Sequence, residues 1–392
     1  MAEPSTLLLG LLFLAVAAGW VLGRGASSRD AADEQTPPSQ YYLGLNFLLD
    51  GEQESALKAF SEALAVNAET FETHITFGSL LRKRGEVDNA IKIHQSLLSR
   101  TRLPDVQKNQ AHLELAKDFI AAGLLDRAEQ LLKDLIELSE DHEADAKTLL
   151  IDVCEASRDW SQARLLAESQ LTQTVSQPEP AAKLKAGKIR EKLSHYCCED
   201  AEDHELKNDA QGARALAQEA LKWNEDGVWP QIILARLDQQ EGQPARAYDR
   251  LAAAAELLPE RFPELVNELI SLSTVLDRHN GFTSLVERLL KRREDPQIRV
   301  ILADAYIVSG QDARARDVIK QGLESKPSSL LLARALALLG DNVIDGSLVA
   351  GAHKLAARQS AYLCGVCGFH GPSFYWQCPG CKSWDTLYRP VR

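Results

Sequence analysis

At 392 residues the chain has room for two or three domains or for one long array, and its net charge of −12 argues against nucleic-acid or anionic-lipid binding over its whole surface. Leu and Ala are abundant and aromatics make up only 6% of the residues, which is a helical composition. Of seven cysteines, four crowd the C-terminus, and the set suggests a reducing compartment, hence the cytoplasm.

Residues 7–23 form an uncharged run, Leu-Leu-Leu-Gly-Leu-Leu-Phe-Leu-Ala-Val-Ala-Ala-Gly-Trp-Val-Leu-Gly. As a helix it spans about 26 Å, enough for a thin bilayer. Trp20 sits where an interfacial ring belongs, and Arg24 and Arg29 follow the run, which puts the C-terminal side in the cytoplasm. The rival reading is a cleaved signal peptide, but no basic residue precedes the run and no small-x-small cleavage site is obvious. The expectation is an uncleaved transmembrane anchor over 1–24, followed by a polar linker over 25–40.

From Tyr41 the chain repeats itself with a period near 34 residues. A turn glycine is followed five positions later by a small residue: Gly51 and Ala56, Gly85 and Ala90, Gly123 and Ala128, Gly242 and Ala247, Gly310 and Ala315. Ala163 and Ala213 mark two further units, and Ser273, Asn280 and Leu285 a degenerate one. This period with these residue types is the tetratricopeptide signature. Small residues let paired helices approach, large ones fill the neighbouring hole, and stacked pairs build a superhelix with a groove. The fold class expected is therefore all-α: a tetratricopeptide (TPR) superhelical solenoid of eight units over 41–327, with the N-terminal transmembrane helix before it and a small metal knuckle after it. Residues 328–360 read as a helical cap that delivers the last module, residues 361–392, onto the last repeats.

That module contains Cys364-Gly-Val-Cys367 and Cys378-Pro-Gly-Cys381. Each Cys-x-x-Cys pair points two thiolates at one ion from a tight turn, and four thiolates make a closed tetrahedral site that suits zinc or iron. Gly365 and Gly380 lie inside the turns, where glycine allows positive φ. Phe369, Phe374, Tyr375, Trp376 and Trp384 supply an apolar wrap. The alternative is two disulfides or four buried thiols. His370 lies between the pairs, a fifth donor or a surface residue; four cysteines already fill the site.

Outside the module, Cys154 falls on a core position. His195, Cys197 and Cys198 cluster on one helix, either as core or as a second metal site. Lys183, Lys185, Lys188, Arg190 and Lys192 form a basic run that is either a solvated face or a docking patch for an acidic partner. Arg82, Lys117, Glu202, Arg236 and Asp304 are expected to face the groove, exposed there either to read a peptide or simply as solvated side chains. No phosphate loop, nucleophile elbow or His-Glu-x-x-His occurs, so no catalytic residue and no organic cofactor site is assigned and the chain is read as a non-enzyme.

The pattern Cys364-x-x-Cys367-Gly368-Phe369, then Tyr375-Trp376-x-Cys378-Pro379-x-Cys381-x-x-Trp384, resembles a rubredoxin-type iron knuckle with a shortened loop. Together with the anchor and the repeats, it resembles the lipopolysaccharide assembly protein B family over essentially the whole chain. The resemblance implies one metal ion, iron in the family, with zinc also suited to the site. It implies an inner-membrane adaptor facing the cytoplasm that regulates lipopolysaccharide biosynthesis. Its partners would be the deacetylase LpxC, degraded by the membrane protease FtsH, and lipopolysaccharide assembly proteins, with a homodimer also compatible. Two other readings stand beside it: an electron carrier on a membrane-anchored scaffold, and a periplasmic tetratricopeptide assembly chaperone.

Overall fold

The computed structural model describes residues 71–99, 103–176, 180–339 and 362–390, and also 44, 46, 47, 55, 59, 350 and 352–356. The expected membrane anchor, the linker and most of the first repeat lie outside the described residues. Among the described residues no helix is long and apolar enough to cross a membrane. The chain divides into two compact units, residues 1–153 and 154–392.

The first unit contains α1 (Phe71–Lys83), α2 (Val87–Leu98), α3 (Asp105–Ala121), α4 (Leu125–Leu138) and the greater part of α5 (Glu143–Ser157). The second contains the end of α5, then α6 (Trp160–Val175), α7 (Pro180–Leu206), α8 (Ala210–Trp223), α9 (Val228–Gln240) and α10 (Pro244–Leu257). It continues with α11 (Phe262–Val275), α12 (His279–Arg292), α13 (Pro296–Val308), α14 (Asp312–Ser325) and α15 (Ser329–Leu339). A 3-10 turn at Pro259–Arg261 precedes α11. At 27 residues α7 is nearly twice the length of its neighbours, and it packs on both α6 and α8.

Among the described residues seven turns join successive helices, and one device makes each of them. The left-handed residues are Gly85, Gly123, Arg158, Asn208, Gly242, Asp277 and Gly310, with φ between 53° and 86°. In each turn the next N–H reaches back to the carbonyl five residues earlier, as in Glu86 to Leu81 (3.0 Å) and Gln311 to Tyr306 (2.8 Å). This is the 6→1 bond of a Schellman end, which satisfies a carbonyl the helix would otherwise orphan. Three of these residues, Arg158, Asn208 and Asp277, are not glycine, and the sequence reading passed over them. In the degenerate unit the turn residue is Asp277, while Asn280 already lies inside α12.

Five residues after each turn a small side chain is driven against the partner helix. Ala90, Ala128, Ala163, Ala213, Ala247 and Ala315 are all fully buried. After Asp277 the corresponding residue is Phe282, which is why that unit breaks the pattern. Aspartates cap the weaker starts: Asp159 accepts from the Gln162 N–H, and Asp209 from the Gly212 N–H.

The C-terminal module is a small antiparallel sheet of β1 (Tyr362–Cys364), β2 (His370–Gly371) and β3 (Leu387–Tyr388), in the order β2-β1-β3. Leu363 faces His370 on one side and Tyr388 on the other.

Candidate metal centre and its docking surface

Two turns of the same construction face each other in this module. The Gly368 N–H donates to the Cys364 carbonyl (3.0 Å) and the Cys364 N–H to the Phe369 carbonyl (2.9 Å). In the second turn the Lys382 N–H donates to the Cys378 carbonyl and the Cys378 N–H to the Ser383 carbonyl, both at 2.9 Å. The left-handed positions are Gly368 (φ 75°) and Lys382 (φ 59°). Gly365 and Gly380, expected to carry positive φ, do not. Gly380 is small for another reason: a Cβ there would stand 3.3 Å from the Cys367 sulfur.

The sulfurs of Cys364, Cys367, Cys378 and Cys381 all lie within 4.8 Å of one another. The Cys364–Cys381 and Cys367–Cys378 separations are 3.7 Å. A tetrahedron of sulfurs at the usual zinc distance has edges of about 3.8 Å, which these two separations match, so the donor set suits one ion. The Thr386 hydroxyl and the N–H groups of Cys367 and Val366 favour thiolate at Cys364 and bring its pKa down to about 6. At Cys367 the Phe369 N–H lowers the pKa, but desolvation and the three other thiols outweigh it and push it up to about 12. Four thiols this close cannot all ionise unaided, and a cation among them removes that obstacle. His370 is exposed and stands apart from the sulfurs. Among the described residues these four cysteines are the only group of three or more His, Cys, Asp or Glu side chains close enough to share an ion.

The module does not sit on the last repeats. It packs on α6, α7, α9 and the 3-10 turn. Trp376 stacks on Trp229 at 5.1 Å and 6°, and Trp384 on His195 at 4.7 Å and 8°. Trp160 and Tyr196 meet Trp384 edge-on. His195 Nε2 pairs with Asp385 at 2.7 Å, Arg261 pairs with the same carboxylate at 3.0 Å, and the Gln377 amide donates to Glu155 at 2.9 Å. Partial desolvation would raise the Asp385 carboxyl, but the hydrogen bond and charge of His195, with Arg261 beyond, hold it below the ordinary carboxylate range. Arg261 also stands over the rings of Phe374 and Trp376.

His195 is not part of a second metal site, because its ring is committed to the module; Cys197 and Cys198 are fully buried, and burial pushes the Cys197 thiol up to about 12. Cys154 is core. Lys183, Lys185, Lys188 and Arg190 are exposed on α7, whereas Lys192 pairs with Glu155 at 2.9 Å, beside the Gln377 contact.

The polar residues expected to be exposed in the groove are instead tied to one another. Arg82, with a side chain only 16% exposed, bridges Glu114 (2.7 Å) and the fully buried Asp118 (2.6 Å), and Lys117 adds a second cation at Glu114 (2.6 Å). Arg236 bridges Glu202 and Glu205, both at 2.9 Å, and Asp304 pairs with Arg334. Helices stacked face to face bring these charges into register, so they neutralise one another before any partner arrives. The docking residues Glu155, Trp160, Tyr196, Trp229 and Arg261 were missed from sequence. The one available signal was two tryptophans, Trp160 and Trp229, on helices of a chain poor in aromatics.

Residues 362–388 match the rubredoxin metal binding domain family. The chain is 28% identical over 394 residues to lipopolysaccharide assembly protein B of Escherichia coli (strain K12), with 98% of each chain covered. It is 29% identical over 402 residues to the protein of that name from Haemophilus influenzae, again with 98% of each covered. Among solved structures, a tetratricopeptide repeat protein from Parabacteroides merdae is similar at 10% identity and a TM-score of 0.34, covering 70% of this chain and all of that one. A crystal structure of MamA is similar at 16% identity and a TM-score of 0.34, covering 50% of this chain and 96% of that one. The resemblance to the lipopolysaccharide assembly protein B family thus holds along essentially the whole chain, with a rubredoxin metal-binding module at its C-terminus.

Proposed function

We propose that the chain is a non-catalytic adaptor in lipopolysaccharide assembly, anchored in the inner membrane by residues 1–24 with its tetratricopeptide helices on the cytoplasmic side. The observation that carries this reading is the likeness to lipopolysaccharide assembly protein B over 98% of both chains. Cys364, Cys367, Cys378 and Cys381 hold one structural ion, zinc or iron, for which their mutual spacing is suited. The adaptor brings the deacetylase LpxC to the membrane protease FtsH and so restrains lipopolysaccharide synthesis. Its mechanism is effective concentration: confinement to one membrane raises apparent affinity by roughly a hundred- to ten-thousand-fold without a new contact.

Proximity labelling from the full chain in native membranes tests this. Labelling of FtsH, LpxC or lipopolysaccharide assembly proteins is the expected result. Labelling of redox enzymes instead would replace the adaptor with an electron carrier.

A further inference from the structure

The second cysteine turn and the docking surface are one piece of chain. Cys378 and Cys381 close a turn whose arms carry Trp376 and Gln377 on one side and Trp384 and Asp385 on the other. The arms pair through the Gln377–Trp384 bridge and through the Asp385 N–H, which donates to the Trp376 carbonyl at 2.9 Å. These four side chains make the stacks and polar bonds to α6, α7, α9 and the end of α5 described above. The first turn behaves oppositely: Gly365, Val366, Cys367 and Gly368 are all exposed.

Within the module's own core, little besides an ion would keep the arms in register. The buried cluster of the module is Tyr362, Cys364, Cys378 and Leu387, with Phe369 and Phe374 packed against it. Two of those four are ligands, and a two-stranded arm of this length is marginal in water by itself. The surface beneath is different. Trp160, Tyr196, His195 and Trp229 are each no more than 5% exposed while the module is seated. Without it, a contiguous aromatic face would open on the helices.

We propose that the module is a metal-locked clasp: the ion at the four cysteines fixes the register of the two arms, and its loss frees them and uncovers the aromatic face of α6, α7 and α9. The clasp rests on the reading that the cysteines hold one ion, and the two are tested separately. Metal is first counted in the purified full-length chain, where one ion per chain is expected and none refutes the ion itself. The ion is then removed with a chelator under reducing conditions, and amide exchange and tryptophan emission are followed. Four of the six tryptophans lie at this junction, so emission should shift to the red.

Exchange protection should fall by roughly tenfold or more across residues 362–388 and at the segments of α7 and α9 around His195 and Trp229, with helicity retained. Trp384→Ala should release the same segments while keeping its ion. Chelation that strips the ion yet leaves the His195 and Trp229 segments protected would overturn the clasp, as would melting of the whole helical unit along with the module.

Discussion

Arg82→Met should destabilise the first unit far more than a surface arginine substitution does. The Arg82 guanidinium makes hydrogen bonds of 2.6 Å to Asp118 and 2.7 Å to Glu114, and the Asp118 side chain is wholly buried. A hydrogen bond to a charged group contributes about 1.5–3 kcal/mol, and stripping one partner from a buried pair costs about 3–5 kcal/mol. Asp118 keeps His94 at 2.5 Å and Glu114 keeps Lys117, which softens the loss. The expected cost is therefore about 2–4 kcal/mol. Arg236→Met is the internal comparison: its side chain is 39% exposed, and its pairs with Glu202 and Glu205 should be worth about 0.5–1 kcal/mol. Native-state amide exchange of α1 and α3, against α7 and α9, reads both in the full-length chain. A cost for Arg82→Met below about 1 kcal/mol, or no larger than that of Arg236→Met, would refute the argument.

Acid should act on the same network. Desolvation alone would raise the Glu114 carboxyl, but hydrogen bonds from Lys117, Arg82 and Ser79 bring it down to about 2. Because the folded value is depressed, the stabilisation is full above about pH 4.5 and drains away as the pH falls toward 2; it amounts to about 3 kcal/mol, and Glu114→Gln should flatten that part of the pH profile of the first unit. Cys364→Ser or Cys381→Ser should abolish metal binding, read by elemental analysis, and leave the thermal unfolding of the helices nearly unchanged; melting of the helices with the module would show them to be one cooperative body. A cytoplasm-specific reporter fused after Arg392 should be active, and a silent one alongside an active periplasmic reporter would reverse the proposed topology.

The helical pattern was legible because turn glycines and alanines are forced by geometry. Only Gly fits a left-handed turn without strain, and only a small residue fits where helices touch. The turns at Arg158, Asn208 and Asp277 were hidden because hydrogen bonding can hold a non-glycine residue in that conformation. The four cysteines could be read from spacing alone. The docking surface could not: His195 and Asp385 are 190 residues apart, and no local period announces their meeting. The groove charges misled for a related reason. Arg82 and Glu114 lie 32 positions apart and come together only when successive pairs stack.

The lifetime of LpxC in cells tests the central claim most directly. Cells lacking this chain should degrade the deacetylase slowly, the full-length chain should restore fast turnover, and Cys364→Ser should fail to restore it although the protein is present in the membrane. An unchanged deacetylase lifetime in cells with and without the chain would contradict the adaptor account.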